Sequence, residues 1–536
     1  MRTRRASALL TAAAVSAALA TAATNVPASA APPNDTVDKL TKAVKLRGVM
    51  NHLEAFQRIA DKHGDRAAGR KGYRKSVNYV VRKLERAGYD PTVQEFSFPY
   101  VEDSSELERV SPQPRVFGDQ DFYRNVFEPT FQGEADGPIT PVDVVVPMAA
   151  DAPANTSTSG CEESDFDDFT PGGVALMQRG TCDFTVKALN AQEAGAVAAV
   201  VMNEGQPGRT GLMGMSGDGT GLTIPVVAAT YDAGVDLHST PGATVRVLVD
   251  FFEEERTSWN VLAETKRGDR ANTVMAGAHL DGVQDGAGIN DNGSGSAALL
   301  ETAIQMKKVK PANRVRFAWW GAEEEGLLGS DHYVSRLKKR QIANIALYLN
   351  FDMVASPNFT FGIYDGNNSS GTAEPGFIPK GSARIEKVFE KFYDKRGLRY
   401  EDSEFSGRSD YGPFIAVGIP AGGLFTGAEG VKTKREARRH GGVAGESYDP
   451  CYHSACDNLT GAGQDRKLYR LLKKDYRLVG NVNTKALDVN SDAIATAVLK
   501  FARDTSRVRV DRAHGSSSLT SKTLGTGHAH GKTARR

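Results

Sequence analysis

Long apolar runs are scarce in these 536 residues. After the stretch from Ala8 to Ala20, none is long enough to span a bilayer, so a membrane anchor is not expected. A dominant charge is missing too. The formal charge is +1, and without Arg2, Arg4 and Arg5 of the leader the rest comes to about −2 by subtraction, its basic residues dispersed. A nucleic-acid role thereby loses its electrostatic basis. Cysteine is rare, at Cys161, Cys182, Cys451 and Cys456. An even number in an exported chain reads as disulfides, and of three connectivities the local one, Cys161 with Cys182 and Cys451 with Cys456, is preferred.

What is present begins with a leader. Three arginines, an apolar run and the small-residue pattern Ala28-Ser29-Ala30 predict a secretory signal over residues 1–30. Ordinary Sec export is preferred to the twin-arginine route that Arg4-Arg5 loosely suggests. With 40% hydrophobic residues the chain can bury a large core, and its length predicts two folded units.

From Val37 to Ala87 apolar positions such as Val77, Val80, Val81 and Leu84 recur at helical spacing, and "PTVQEFSF" then reads as a strand. Between about Phe131 and Val249 the texture is of short Val-rich strands, "PVDVVVPM", "GVALMQRG", "VAAVVMNEG" and "IPVVAATY", with one Ala-rich helix starting near Thr185. Beyond Trp259 strands and helices alternate: "TVMAGAHLD", a helix from Gly295 to Lys308, "RVRFAWWGAEE", a helix from about Leu328 to Lys339, and "IALYLNFDMV". That alternation predicts an α/β fold with a mostly parallel central sheet flanked by helices. After Arg512 the composition reads as a disordered tail, whose histidines are expected to be solvated.

The strands of the second unit end in polar residues: His279 and Asp281, then Glu323 and Glu324, then Asp352. Ligand sites in open α/β sheets lie beyond the carboxyl ends of the strands, so these residues are expected to converge. Asp291 precedes the next helix over the same rim, and His453 arrives in "PCYHSAC". Taken singly, each has an ordinary structural reading, such as a strand histidine or a helix-capping glutamate. Together they are different. Carboxylates at the ends of three buried strands are costly unless paired or metal-bound. Two histidines and several carboxylates suit zinc, with enough donors for two ions bridged by one aspartate. Asp281 is placed to receive the other N–H of the His279 ring.

"AHLDGV", "GINDNGSGSAALLE", "WWGAEEEGLLGS", "NFDM", "GRSDYGPF", "GGLFTGAEG" and "DPCYHSACDN" together resemble the secreted two-zinc aminopeptidases of the leucine aminopeptidase and aminopeptidase Y type, over about Asn51 to Lys500. The Val-rich unit with Cys161 and Cys182 resembles the small β-rich protease-associated domain inserted in that type. The resemblance implies a peptidase domain over 31–130 and 251–512, the insert over 131–250 and the tail over 513–536. It implies that His279 and Asp352 hold one zinc, Glu324 and His453 the other, and that Asp291 bridges them. Glu323 falls on the general base and Tyr452 on the residue that hydrogen-bonds the tetrahedral intermediate. Arg408 falls where backbone helps receive the substrate amino group, and Met353 and Phe425 where an apolar pocket takes the N-terminal side chain. A bridge from Cys451 to Cys456 would hold Tyr452 and His453 against the site.

The expected protein is therefore a secreted, extracellular, monomeric zinc aminopeptidase acting on peptides with a free N-terminus, leucine among the apolar residues it removes. Two readings compete: another exopeptidase or amidase on this scaffold, such as a dipeptidase or carboxypeptidase, and a non-catalytic peptidase-like binding protein. The "CYH" and "GGLFTGAEG" segments argue against the first, and the complete ligand set with Glu323 against the second.

Overall fold

A computed structural model describes residues 33–149 and 151–513. The leader, 1–30, and the tail beyond Ala513 lie outside the described residues. The main sheet has eight strands: β1 (Thr92–Asp103), β2 (Phe251–Glu264), β3 (Asp269–His279), β4 (Asn313–Trp320), β5 (Ile345–Phe351), β6 (Gly362–Tyr364), β7 (Glu401–Ser403) and β8 (Ala421–Phe425). Their spatial order is β1-β2-β4-β3-β5-β8-β6-β7. The central strands β4, β3, β5 and β8 are parallel to one another, whereas β1 and β2 run antiparallel on one side, β2 also against β4, and β6 pairs antiparallel with β8 on the other.

Helices cover both faces, which is why the central strands read as unbroken apolar runs. Every residue of β5 is buried. Val274, Ala276, Val315, Phe317, Leu347 and Leu349 pack on one face against helices 46–63, 71–86, 295–306 and 484–503. Met275, Ala318, Trp320 and Tyr348 point the other way, toward Tyr333 and Phe414. The alternation along each strand supplies both cores at once.

The helical stretch before β1 forms three helices, Val37–Ala43, Leu46–His63 and Lys71–Arg86. The helix expected over Leu328 to Lys339 is instead two, Leu328–Ser335 and Lys339–Asn344, because the chain turns extended at Lys338. "PVDVVVPM" is not a strand. The strand Gly133–Pro141 stops as it begins, Asp143 takes a left-handed φ of 46°, and the N–H of Val145 is bound by the Gln178 side chain.

A second eight-stranded sheet holds, in order, Arg115–Phe117, Glu106–Ser111, Thr244–Val249, Gly133–Pro141, Val174–Gln178, Ala198–Met202, Val226–Ala229 and Phe122–Arg124. It therefore starts at Glu106, well before the expected Phe131. Glu106–Ser111 is half-exposed and charged, so it lacks the Val-rich texture of the later strands. The chain leaves the main sheet at Asp103 and re-enters at Phe251, and these two residues face each other in the β1–β2 ladder. Cys161 and Cys182 are bonded within this insert, and Cys451 and Cys456 within the main unit.

Candidate metal and catalytic site

The chain passes from β3 to β4 on one side and then crosses to β5 on the other. The carboxyl ends of β3, β4 and β5 meet at the point where the strand order reverses, the place where open α/β sheets form their ligand crevice. Around it lie bent stretches of backbone. Ala322 (φ 57°), Met353 (φ 48°) and His453 (φ 50°) are non-glycine residues in left-handed conformations. Each costs on the order of 1–3 kcal/mol and persists only where packing dictates it. They precede Glu323, follow Asp352 and carry an imidazole, respectively.

Asp291 stands between the two histidines. Its Oδ1 lies 3.3 Å from His279 Nε2 and its Oδ2 3.4 Å from His453 Nε2. His279 Nε2 is also 3.1 Å from Asp352 Oδ1 and 3.9 Å from Glu323 Oε2. His453 Nε2 is 2.9 Å from Glu324 Oε2. Two triads offer donor atoms all within 4.8 Å of one another, His279 with Glu323 and Asp352, and His279 with Asp291 and Glu324.

Eight carboxyl groups are buried here: Asp281, Asp291, Glu323, Glu324, Asp352, Asp410, Asp449 and Asp457. Burial drives Glu323 well above the carboxylate range, and Asp352, Asp410 and Glu324 add to this against the opposing charge of His279. Burial likewise raises Glu324, and takes Asp410 and Asp457 to about 8. Burial would also raise Asp291, but His279 and His453 hold it below the usual range. His453 is pushed up to about 11 by Glu324 and Asp291, although its burial acts the other way.

These eight carboxyl groups face one fully buried guanidinium, that of Arg66, and the imidazoles of His279 and His453, so ionising them all together is costly. Glu324 Oε1 is buried without a hydrogen-bond partner. Divalent cations would relieve both conditions, and a mixed imidazole and carboxylate set with no thiolate is the chemistry of a zinc site of the hydrolytic kind.

The chain is 43% identical over 462 residues to an aminopeptidase of Pseudomonas aeruginosa, covering 85% of this chain and 81% of that one. The chain belongs to peptidase family M28. The model of that family matches residues 260–467, and a PA domain model matches 142–237, inside the second sheet. Leucine aminopeptidase 2 of Trichophyton tonsurans is 37% identical over 476 residues, covering 88% of this chain and 87% of that one. Among solved structures, a zinc aminopeptidase from Bacillus subtilis superposes with a TM-score of 0.50 at 21% identity, covering 86% of this chain and 95% of that one. That last likeness shows the fold.

In this M28 chain the supports of the site are as informative as the site. Asp281 was expected to take the free N–H of the His279 ring with its carboxylate. The nearer acceptor for Nδ1 is instead the Asp281 carbonyl, at 3.2 Å, with the carboxylate at 3.7 Å. The carboxylate lies 3.4 Å from the backbone N–H groups of both Glu323 and Glu324, and so ties the end of β3 to the glutamate run. Asp352 Oδ2 accepts from Ser409 Oγ at 2.6 Å, which accepts from Asn350 at 2.8 Å. Asn350 in turn accepts from Tyr348 and Tyr348 from Trp320. This buried string fixes the carboxylate from below.

Several residues that the sequence reading missed hold the loops. Asp457 accepts the N–H groups of Asn290 and Asp291, and Asp449 accepts from the Asn290 amide and the Cys451 N–H. Asn481 donates to both acids. Arg66 is fully buried and donates to the carbonyls of Leu280, Ala287 and Gly288, closing the loop between His279 and Asp291. Asp449 and Asp457 flank the cysteines in "DPCYHSACDN" and Ser409 lies in "GRSDYGPF", so both motifs carried a signal. Arg66 carried none.

Of the remaining expected residues, Phe425 ends β8, where its ring faces that of Tyr364. The Tyr452 ring stacks on His453 at 3.8 Å between centroids, and burial, with Asp291 and Glu324 nearby, holds its hydroxyl protonated. Met353 is buried beside Asp352, its carbonyl accepting from the N–H of Thr426, the residue after Phe425. The exposed Arg408 pairs with Glu429 at 2.8 Å.

Proposed function

We propose that this M28 chain removes residues one at a time from the free N-terminus of peptides, with apolar residues such as leucine preferred, at a centre of two zinc ions. The observation that carries the reading is Asp291, one carboxylate with an oxygen toward each of two histidines. In this reading His279 and Asp352 hold one ion, Glu324 and His453 the other, and Asp291 is shared. Bound there, the ions would supply Lewis acidity to a water and to the scissile carbonyl.

The protein's own groups do the rest. Glu323 takes the proton of the attacking water and delivers it to the leaving amine, a role suited to a carboxyl whose proton affinity has been raised. Position alone would also admit Glu323 as a ligand, and the resemblance favours the base. The Tyr452 hydroxyl donates to the developing oxyanion. The ammonium of the substrate lies against Glu323, Asp352 and carbonyls near Arg408, while Met353 and Phe425 flank its side chain. Export is supported by the two disulfides, and no helix among the described residues is long and apolar enough to cross a membrane.

A decapeptide with a free N-terminus and its acetylated twin, followed by mass spectrometry, test the reading. A ladder shortened only from the free N-terminus is expected. Shortening from the carboxyl end, or equal cleavage of the acetylated peptide, would replace it with a carboxypeptidase or endopeptidase reading.

A further inference from the structure

Between β6 and helix Ser382–Lys395 the chain runs from 365 to 381 without a helix or strand. Loops longer than about 15 residues are uncommon in a compact unit and usually carry function. The first half of this one is pinned. The Asp365 carboxylate accepts from the N–H and hydroxyl groups of Ser369 and Ser370, and the Asn368 side chain donates to the Ala373 carbonyl and accepts from its N–H. The second half turns apolar side chains inward: Ala373, Phe377 and Ile378 pack, half-buried, against the cluster that holds Tyr364, Phe405, Tyr411 and Phe425.

The Phe377 ring lies against Gly407, its Cζ 3.5 Å from where a β-carbon on that residue would stand. Gly407 holds a left-handed φ of 84°, where a side chain is strained, so the ring meets bare backbone. That backbone leads straight to the site. The Gly407 N–H donates to the Tyr411 hydroxyl at 2.8 Å, Arg408 follows, and Ser409 donates to Asp352 at 2.6 Å. In the same cluster the Phe425 ring is parallel to that of Tyr364, at 6.4 Å between centroids. Phe377 and Phe425 therefore belong to one aromatic surface, joined to the proposed ligand Asp352 through the short segment from Gly407 to Ser409.

Behind this loop there is space. A hollow of about 350 Å³ lies between its two halves and the start of helix Ser382–Lys395, lined by Asn367, Asn368, Glu374, Ile378, Pro379 and Ala383. The stretch that carries Phe377 is held lightly: Glu374, Pro375 and Gly376 are exposed, and the Phe377 N–H donates to the Glu374 carbonyl of its own turn at 3.0 Å. A wall of close-packed core resists an extra methylene, because the neighbouring side chains have nowhere to go. A ring on a lightly held loop with a hollow behind it yields at small cost.

We propose that Phe377 is a specificity-determining residue: its ring forms the outer wall of the pocket for the substrate's N-terminal side chain, and the hollow behind it lets that wall recede, so that phenylalanine and tryptophan are accepted beside leucine. The inference rests on the aminopeptidase reading and names the substrate range of that site. A rigid apolar pocket separates side chains that differ by one methylene by about 10-fold to 200-fold. A receding wall flattens that difference among large side chains. Alanine is too short to push it and is unaffected.

The test uses the full chain and measures kcat/KM on the nitroanilides of alanine, leucine, phenylalanine and tryptophan. The parent should hydrolyse the last three within about 10-fold of one another. Phe377→Ala removes the wall and should raise tryptophan relative to leucine by about 10-fold. Ala383→Leu fills the hollow from the helix side without touching the pocket, and should lower phenylalanine and tryptophan about 10-fold relative to leucine while alanine is unchanged. Thermal denaturation shows that each variant is folded, and the second variant decides alone if the first is not. One common factor for all four substrates in the folded variants would make Phe377 a packing residue and overturn the inference, as would a parent that excludes phenylalanine and tryptophan. A parent inactive on every anilide would overturn the aminopeptidase reading itself.

Discussion

Asp457 holds Asp291 by its backbone: the Asp457 Oδ2 accepts the Asp291 N–H at 3.0 Å. The carboxylate proposed to be shared is thus oriented by the buried carboxyl group of Asp457. Asp457→Leu would strand the buried N–H groups of Asn290 and Asp291, at about 1–3 kcal/mol each. The variant is expected to unfold at lower temperature and to release metal to a weak chelator that leaves the parent loaded. Asp457→Asn keeps an acceptor and should fall between the two. Thermal denaturation with metal analysis of the dialysed proteins checks both; a Leu variant with parental metal retention would show that Asp291 needs no such support.

Glu323 and Asp291 should fail differently. Glu323→Gln removes the proton acceptor and is expected to keep its metal while losing roughly 100-fold to 10,000-fold in kcat. Asp291→Ala should lose the metal. Parallel metal loss in both would place Glu323 among the ligands.

The insert should be separable along its true boundary. Because Asp103 and Phe251 face each other in the ladder, deleting 104–250 and closing the gap with a short turn leaves the main sheet intact. All proposed ligands lie outside that segment. Hydrolysis of a small leucine anilide should survive, measured on a variant shown to be folded by circular dichroism.

Far from the crevice, Glu386 offers a pH test free of metal. It is 2% exposed, its Oε1 accepts from Asn367 at 2.7 Å, and its Oε2 has no partner. Burial, with Glu390, Asp365 and Asp402 nearby, pushes it from 4.5 up to about 7. The folded state therefore binds this proton more tightly than the unfolded chain does. The stability it contributes is complete below about 4.5 and is lost as pH rises through about 7. Glu386→Gln should flatten the fall of melting temperature with pH across that window, and an unchanged slope would refute the assignment.

The central strands were legible because a strand buried on both faces must be apolar throughout, which makes the polar residue at its end conspicuous. His279, Glu323, Glu324 and Asp352 stand out for that reason. The supports were hidden by distance. Arg66 meets its carbonyls more than two hundred positions along the chain, and Asn481 meets Asp449 and Asp457 as one more asparagine near a turn. The start of the insert was missed because Glu106–Ser111 alternates buried with charged residues at an outer position of its sheet, where solvent rewards polarity.

The order in which the chain is made has a bearing on safety. β3 must be flanked by β4 and β5 before three of the proposed ligands meet, and His453 comes only with the late loop closed by Cys451 and Cys456. A growing chain thus holds none of the proposed ligands for its first 278 residues and lacks the last of them until residue 453. Neither its own freshly exposed N-terminus nor those of neighbouring polypeptides meets a working hydrolase until nearly the whole fold has emerged and its last ring bond has formed.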